Sequence, residues 1–174
     1  RGIVFLTDTH VQAEPSAEAM ADTVLMCAAH VERFGITPKV ALVAHSDFGD
    51  FDTPVTMRMR QALAMIHARA PDLMIDGEMQ ADTALIPAVR QRKLPSSTLK
   101  GEANLLVMPG LTSANVAYQI MKVFGDALPV GPILLGAASG DSAWALVFFT
   151  GLKTAADAAL HAVEHRWLRA PAKT

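Results

Sequence analysis

Asp76-Gly77-Glu78-Met79-Gln80-Ala81-Asp82-Thr83-Ala84, followed by Leu99-Lys100-Gly101-Glu102-Ala103-Asn104 and by Ser113-Ala114-Asn115-Val116-Ala117-Tyr118, frames the reading of the chain. Leu73 to Ile75 is a short apolar run that predicts a strand ending in an acidic turn at Asp76-Gly77-Glu78. Ala81 to Arg92 predicts a helix in spite of Pro87, Asn104 to Met108 a strand, and Thr112 to Phe124 a helix. Short apolar runs alternating with longer segments of helical period are the pattern of an α/β domain.

The alternation continues on both sides. Ile3 to Leu6 predicts a strand. Residues 15 to 34 predict a helix, with Pro15 in its first turn, Ala19, Thr23, Met26, Ala29/His30 and Arg33/Phe34 at three-to-four spacing, and Gly35 as its stop. Lys39 to His45 is apolar on both faces, as a buried central strand is, and stops at Ser46-Asp47-Phe48-Gly49. Pro54 to Arg69 predicts a helix carrying Met57, Gln61, Ala64/Met65 and Ala68 on one side, with Arg58 and Arg60 left for other surroundings, and Pro71-Asp72 closing it. Pro129 to Leu135, around Gly131-Pro132, is the last strand expected. The fold class expected is a three-layer α/β/α domain with a largely parallel sheet and room for an antiparallel edge strand.

Composition bounds the function. The chain has 174 residues, of which 51% are hydrophobic and 18% charged, enough for a packed core and too apolar for disorder. A formal charge of −2 with 6% aromatic residues gives neither the basic footprint nor the stacking platforms of a nucleic-acid binder. Cys27 is the single cysteine, so no intrachain disulfide and no cysteine metal pair can form, and a reducing, cytoplasmic setting fits best. Ile3 to Leu6 is far shorter than a signal core or a membrane span. With Arg1 at its start, the chain reads as a soluble piece of a longer polypeptide.

Several side chains have both a chemical and a plain structural reading. Asp76 and Glu78 form a paired-carboxylate candidate, although a strand-ending turn with Gly77 as its flexible link is the default. Asn115 is a ligand-binding candidate or a helix cap. His45, at a strand end, reads as a partly buried, hydrogen-bonded histidine rather than a proton shuttle. His161 and His165 share a helix-face spacing but lack a third metal ligand, which favours a solvated face. Cys27, Met57, Met59 and Met65 read as core or interface filling, and Gly101 as turn geometry.

The succession Val40-Ala-Leu-Val-Ala-His-Ser46, Ala70-Pro-Asp-Leu73, Asp76 to Ala84, Leu99 to Asn104, Met108-Pro109, Ala114-Asn115 with Tyr118, and Leu128-Pro-Val-Gly-Pro-Ile-Leu-Leu-Gly136 resembles the phosphate acetyl/butyryltransferase family. Ser113-Ala114-Asn115 stands where stand-alone transferases have Thr/Ser-Gly-Asn. That wording, with Phe34-Gly-Ile-Thr-Pro-Lys-Val40 and Thr7-Asp8-Thr9-His10, is similar to the transferase-like domain at the C-terminus of bacterial NADP-dependent malic enzymes. The resemblance covers residues 1–136 and implies the second lobe of an isocitrate/isopropylmalate dehydrogenase-like acyltransferase, with much of the first lobe upstream. It implies a cleft lined by strand-to-helix loops, where helix amino ends favour anions. Ser46, Gly49, Ser113, Asn115, Gly131 and Pro132 are the ligand-binding candidates it offers. It further implies acetyl-CoA, CoA or an acyl phosphate as ligand, an upstream malic-enzyme domain holding NADP and a divalent metal, and a homo-oligomer without nucleic-acid or membrane partners. The chain itself has no Gly-x-Gly-x-x-Gly fingerprint.

The resemblance breaks after the Gly-Pro strand. Active members continue through Lys-Pro into Leu-Ser-Arg-Gly and an acidic residue, whereas this chain reads Ala137-Ala138-Ser139-Gly140-Asp141-Ser142-Ala143-Trp144. No Arg lies between Arg92 and Arg166, so no catalytic residue is assigned. Loss of one oxyanion donor costs on the order of 10²–10³ in rate, which sets a regulatory module ahead of an active transferase. Residues 137–174 read as a divergent tail, through natural divergence or a frameshift. Leu152, Ala156, Ala159/Leu160, Val163 and Trp167 predict a helix over 152–168.

Overall fold

The order of the secondary-structure elements in this computed structural model confirms the α/β alternation, and residues 3–7, 10–125, 128–136 and 143–150 are described. The helix expected over 152–168, His161, His165, Ser139 and Asp141 lie outside them. β1 (Val4–Thr7), β2 (Val40–Val43), β3 (Ile75–Met79), β4 (Leu105–Val107), β5 (Leu128–Gly136) and β6 (Ala143–Thr150) form one sheet in the order β3-β2-β4-β1-β6-β5. The β1–β4, β4–β2 and β2–β3 pairs are parallel, and β6 runs antiparallel to both β1 and β5. The antiparallel strand is therefore second from the edge rather than at it. It falls in the segment where no strand was expected.

Successive strand residues point to opposite faces, and the core divides accordingly. Phe5, Val40, Leu42, Leu105, Val107 and Leu146 face α1 (Ala17–Arg33) and α2 (Pro54–Arg69). Val4, Leu6, Ala41, Val43, Leu106 and Val147 face α3 (Ala81–Leu85) and α5 (Leu111–Phe124). Between those two helices comes α4 (Pro87–Lys93). This gives the three layers.

Helix ends follow local chemistry. Ser16, rather than Pro15, begins α1: its side chain accepts from the Ala19 amide at 3.1 Å, which leaves Pro15 just ahead of the cap. Thr53 and Thr56 cap α2 reciprocally, with Pro54 at its first position, so both ends of this helix fall where the sequence placed them. Its buried stripe is different: Met59, Ala62 and Ile66 are buried, whereas Met57 is 50% exposed. In α1 the buried stripe is Met20, Val24, Cys27 and Val31, with Thr23 of the residues at helical spacing beside it. In both helices the more uniformly apolar stripe turned inward. Pro87 divides the single helix expected over 81–92, because the residue before a proline prefers extended backbone and Ile86 adopts φ −121°, ψ 97°.

The largest departure is at Asp76-Gly77-Glu78, which is strand and not turn. Both carboxylates find partners in the fold: Asp76 accepts from the Ser97 hydroxyl and the Thr98 amide, and Glu78 from Arg60 and the Gly49 amide. Gly77 has φ +144°, and a Cβ there would lie 2.8 Å from both Cβ and O of Leu42. Gly77→Ala is expected to destabilise the domain by about 1–3 kcal/mol through this overpacking, read as a lower urea midpoint. Gly35→Ala, at φ +73° with nothing within 4 Å, should cost only the left-handed backbone term of about 1–2 kcal/mol.

Candidate functional site

β4 lies between β1 and β2, both of which lead into helices on one face of the sheet, whereas β4 leads into α5 on the other. Such a switch point opens a crevice beyond the carboxyl ends of the strands. The loops from β1 to α1 and from β4 to α5 meet there. Gly110 approaches so closely that a Cβ would stand 2.4 Å from the Ala13 carbonyl oxygen, and the Leu111 amide donates to the Gln12 carbonyl at 2.9 Å. This seam fixes the start of α5 against the first loop.

A groove of about 570 Å³ follows from that arrangement. Ala13 and Glu14 form one bank, Val55 and Arg58 of α2 a second, and Pro109, Gly110, Thr112, Ser113, Val116, Ala117 and Ile120 the third. Most of the wall is apolar, with Arg58, Thr112, Ser113 and Glu14 as its polar groups. The α5 amino end adds a partial positive charge. The arrangement suits a ligand that joins a short apolar arm to an anionic group.

The candidates from sequence distribute unevenly. Ser113 lines the groove, and its hydroxyl donates to the Gly110 carbonyl at 2.8 Å. Asn115 is partly buried inside α5; since Gly110 holds the cap position, the capping alternative for Asn115 is overturned. Ser46 and Gly49 share the β2–α2 loop, where both are already engaged: the Phe51 amide donates to Ser46 Oγ at 3.0 Å, and the Gly49 amide donates to Glu78 Oε1 at 3.0 Å. Gly131 and Pro132 are exposed in mid-strand on the edge strand β5, with β6 and β1 between them and β4. His45 is exposed rather than partly buried and meets Phe51 edge-on at 5.9 Å between ring centroids. Among the described residues no cluster of metal-ligating side chains occurs.

Charged residues organise the rim, Glu78 of the expected carboxylate pair among them. Glu78 is fully buried; its Oε1 accepts from Arg60 Nη1 at 3.1 Å, and Arg60 also pairs with Asp52. Asp47, only 5% exposed, accepts from the Gln80 amide at 2.9 Å and from Lys93. Arg90 is buried and donates to the carbonyls of Thr83, Ala84, Leu99 and Gly101, so the Lys-Gly-Glu segment is held as a structural clamp. Asn104 is structural too, since it accepts from the Lys39 amide at 2.7 Å and donates to the Thr37 carbonyl at 2.9 Å, at the opposite end of the strands. The available signal was the pair Arg58/Arg60 just inside a capped helix. Only the fold shows which arginine is consumed.

Burial acts to raise the Asp47 carboxyl pKa, but hydrogen bonds from Lys93, the Gln80 amide and Thr83, with the Lys93 charge, hold it below the ordinary value. A depressed carboxyl pKa contributes stability at pH above the unfolded value of about 3.9, and that contribution disappears as pH falls through the folded value. Asp47→Asn is therefore expected to lower stability at neutral pH and to flatten the loss below about pH 4, as read from urea midpoints across pH. An unchanged acid profile would place the acid-sensitive group elsewhere.

Comparison with known proteins agrees with this architecture. The family model described as phosphate acetyl/butaryl transferase matches residues 1–140. The NAD-dependent malic enzyme of Rhizobium meliloti is 52% identical over 138 residues, and the NADP-dependent malic enzyme of Escherichia coli 49% over 138; each match covers 79% of this chain and 18% of the relative. The phosphate acetyltransferase of Paracoccus denitrificans is 40% identical over 139 residues, 79% of this chain and 44% of the relative. A solved phosphotransacetylase from Streptococcus pyogenes superposes with a TM-score of 0.66 at 31% identity, over 72% of this chain and 41% of that one. The chain thus spans under a fifth of the malic enzymes and under half of the transferases it matches. By sequence and by fold, it belongs to the phosphate acetyl/butaryl transferase family.

Proposed function

We propose that this chain is part of the transferase-like domain of an NADP-dependent malic enzyme, where it binds acetyl-CoA or a related acyl metabolite as a regulatory and oligomerisation module. The observation that carries the reading is the groove at the switch point, apolar along most of its wall with Arg58, Thr112 and Ser113 among its polar groups. A thioester arm with an anionic group has that division of character. Higher identity to malic enzymes than to the transferase supports the branch. The replacement of Ser-Arg by the sequence from Ala137 to Ser142 favours binding without turnover.

In this reading residues 1–136 carry the family-like unit, and 137–174 are a divergent tail whose β6 the sheet takes up. Ser113 and Asn115 contribute to the ligand cleft directly. Ser46 and Gly49 contribute loop shape, and Gly131 and Pro132 a wall on the β5 side. NADP and a divalent metal belong to an upstream domain, which senses the acyl metabolite only if the two states of the whole enzyme bind it with different affinity. The setting is cytoplasmic; no described helix is long and apolar enough to cross a membrane. The alternative, an active phosphate acetyl/butyryltransferase exchanging CoA and phosphate on a short acyl group, is supported by family membership.

Titration calorimetry of acetyl-CoA into the full-length protein, with phosphate-dependent thiol release followed on the same sample, separates these readings. Saturable binding without thiol turnover is expected. Turnover would favour the transferase, and absence of both would leave a purely structural role.

A further inference from the structure

Resting on the reading that the switch-point groove takes an acyl metabolite, we infer that Arg58 anchors the ligand's anionic group, beside an apolar wall of Val55, Val116 and Ile120 that receives its short arm. Arg58 lies just over one turn into α2 and is only partly exposed. Its Nε is buried, and among the described residues it has no hydrogen-bond partner and no ion pair includes Arg58. Neighbouring arginines are differently placed. Arg60 is taken by Glu78 and Asp52, Arg69 by Asp22 and Arg90 by four carbonyls. A buried donor left unmade costs free energy that a ligand oxygen can recover.

Position strengthens the assignment. Arg58 lines the 570 Å³ groove and also a second depression of about 550 Å³ bounded by Ser16, Met57 and Gln61, so it stands on the partition between them. The amino ends of α1 and α2 contribute Ser16, Ala17 and Pro54 to the second depression, and that of α5 contributes Thr112 and Ser113 to the first. Their dipoles add positive potential at Arg58, opposed in the second depression by the Glu18 carboxylate. Glu14 lines the first groove without pairing to Arg58, and its charge confines an anion to the arginine end.

The test uses the full-length protein and its Arg58→Met, Arg58→Lys and Glu14→Gln variants, titrated with acetyl-CoA and heated with and without inorganic phosphate. Arg58→Met should weaken acetyl-CoA binding by about ten- to a hundred-fold, as loss of a charged hydrogen bond does, without lowering the melting midpoint of the ligand-free protein. Arg58→Lys should fall between, because the charge remains and the fork is lost. Glu14→Gln should bind more tightly than wild type. Wild-type affinity in Arg58→Met would overturn the anchor and leave the acyl-metabolite reading standing. If the wild type binds no acetyl-CoA, that reading falls, and phosphate decides the anchor: thermal protection present in wild type and lost in Arg58→Met supports it, whereas no protection, or equal protection in both, overturns it.

Discussion

The fully buried carboxylate of Glu78 is the constraint around which this domain is arranged. A carboxylate without water needs an opposite charge and hydrogen-bond donors, and removing either partner from such a pair is costly. Here Arg60 of α2 supplies the charge, and the Gly49 amide supplies a second donor. The Phe48 amide also donates to the Glu78 carbonyl at 2.7 Å, which helps hold Phe48 and Gly49 in left-handed backbone at φ 51° and 91°. One residue at the end of β3 thus sets the β2–α2 loop and the first turns of α2, its side chain through Arg60 and the Gly49 amide and its backbone carbonyl through the Phe48 amide. Through α2 it also fixes where Arg58 stands.

A division of labour among the cations follows. Arg60, Lys93 and Arg90 are each bound to acidic groups or carbonyls of the fold, and all three serve to hold loops in place. Arg58 is left over at the groove. The same logic separates the glycines: Gly77 and Gly110 allow close backbone approach, at Leu42 and at Ala13 respectively, without which the strand pair and the loop seam would move apart. Neither position has to touch a ligand to shape the site.

Much of the fold was legible because its signals are local. The Thr53-Pro54 start and the Pro71 stop mark α2 on the sequence alone, and apolar Lys39 to His45 announces a buried parallel strand. What failed depends on distant partners. Asp76-Gly77-Glu78 reads as a turn until Arg60 and Ser97 are placed beside it, and a three-residue window cannot supply either. The inward faces of α1 and α2 were not decided by spacing, since both helices carry adjacent stripes of alanine and methionine with similar periodicity. β6 was readable in Ala143-Trp-Ala-Leu-Val-Phe-Phe-Thr150, a run rich in strand formers that lies beyond the end of the family wording. At the site, Ser113 of the expected ligand-binding set lines the groove. Arg58 and Arg60 stand alike in the sequence, because the two differ only in which partners the fold provides.

An acyl metabolite in the groove between the β1–α1 loop, α2 and α5 would leave a local footprint, which hydrogen–deuterium exchange on the full-length protein with and without saturating acetyl-CoA reads. Slower exchange is expected in peptides covering residues 12–18, 53–61 and 110–120, with no comparable change at residues 99–104, which sit at the Arg90 clamp. Protection confined to other segments, or none at all under conditions where acetyl-CoA is bound, would contradict that placement.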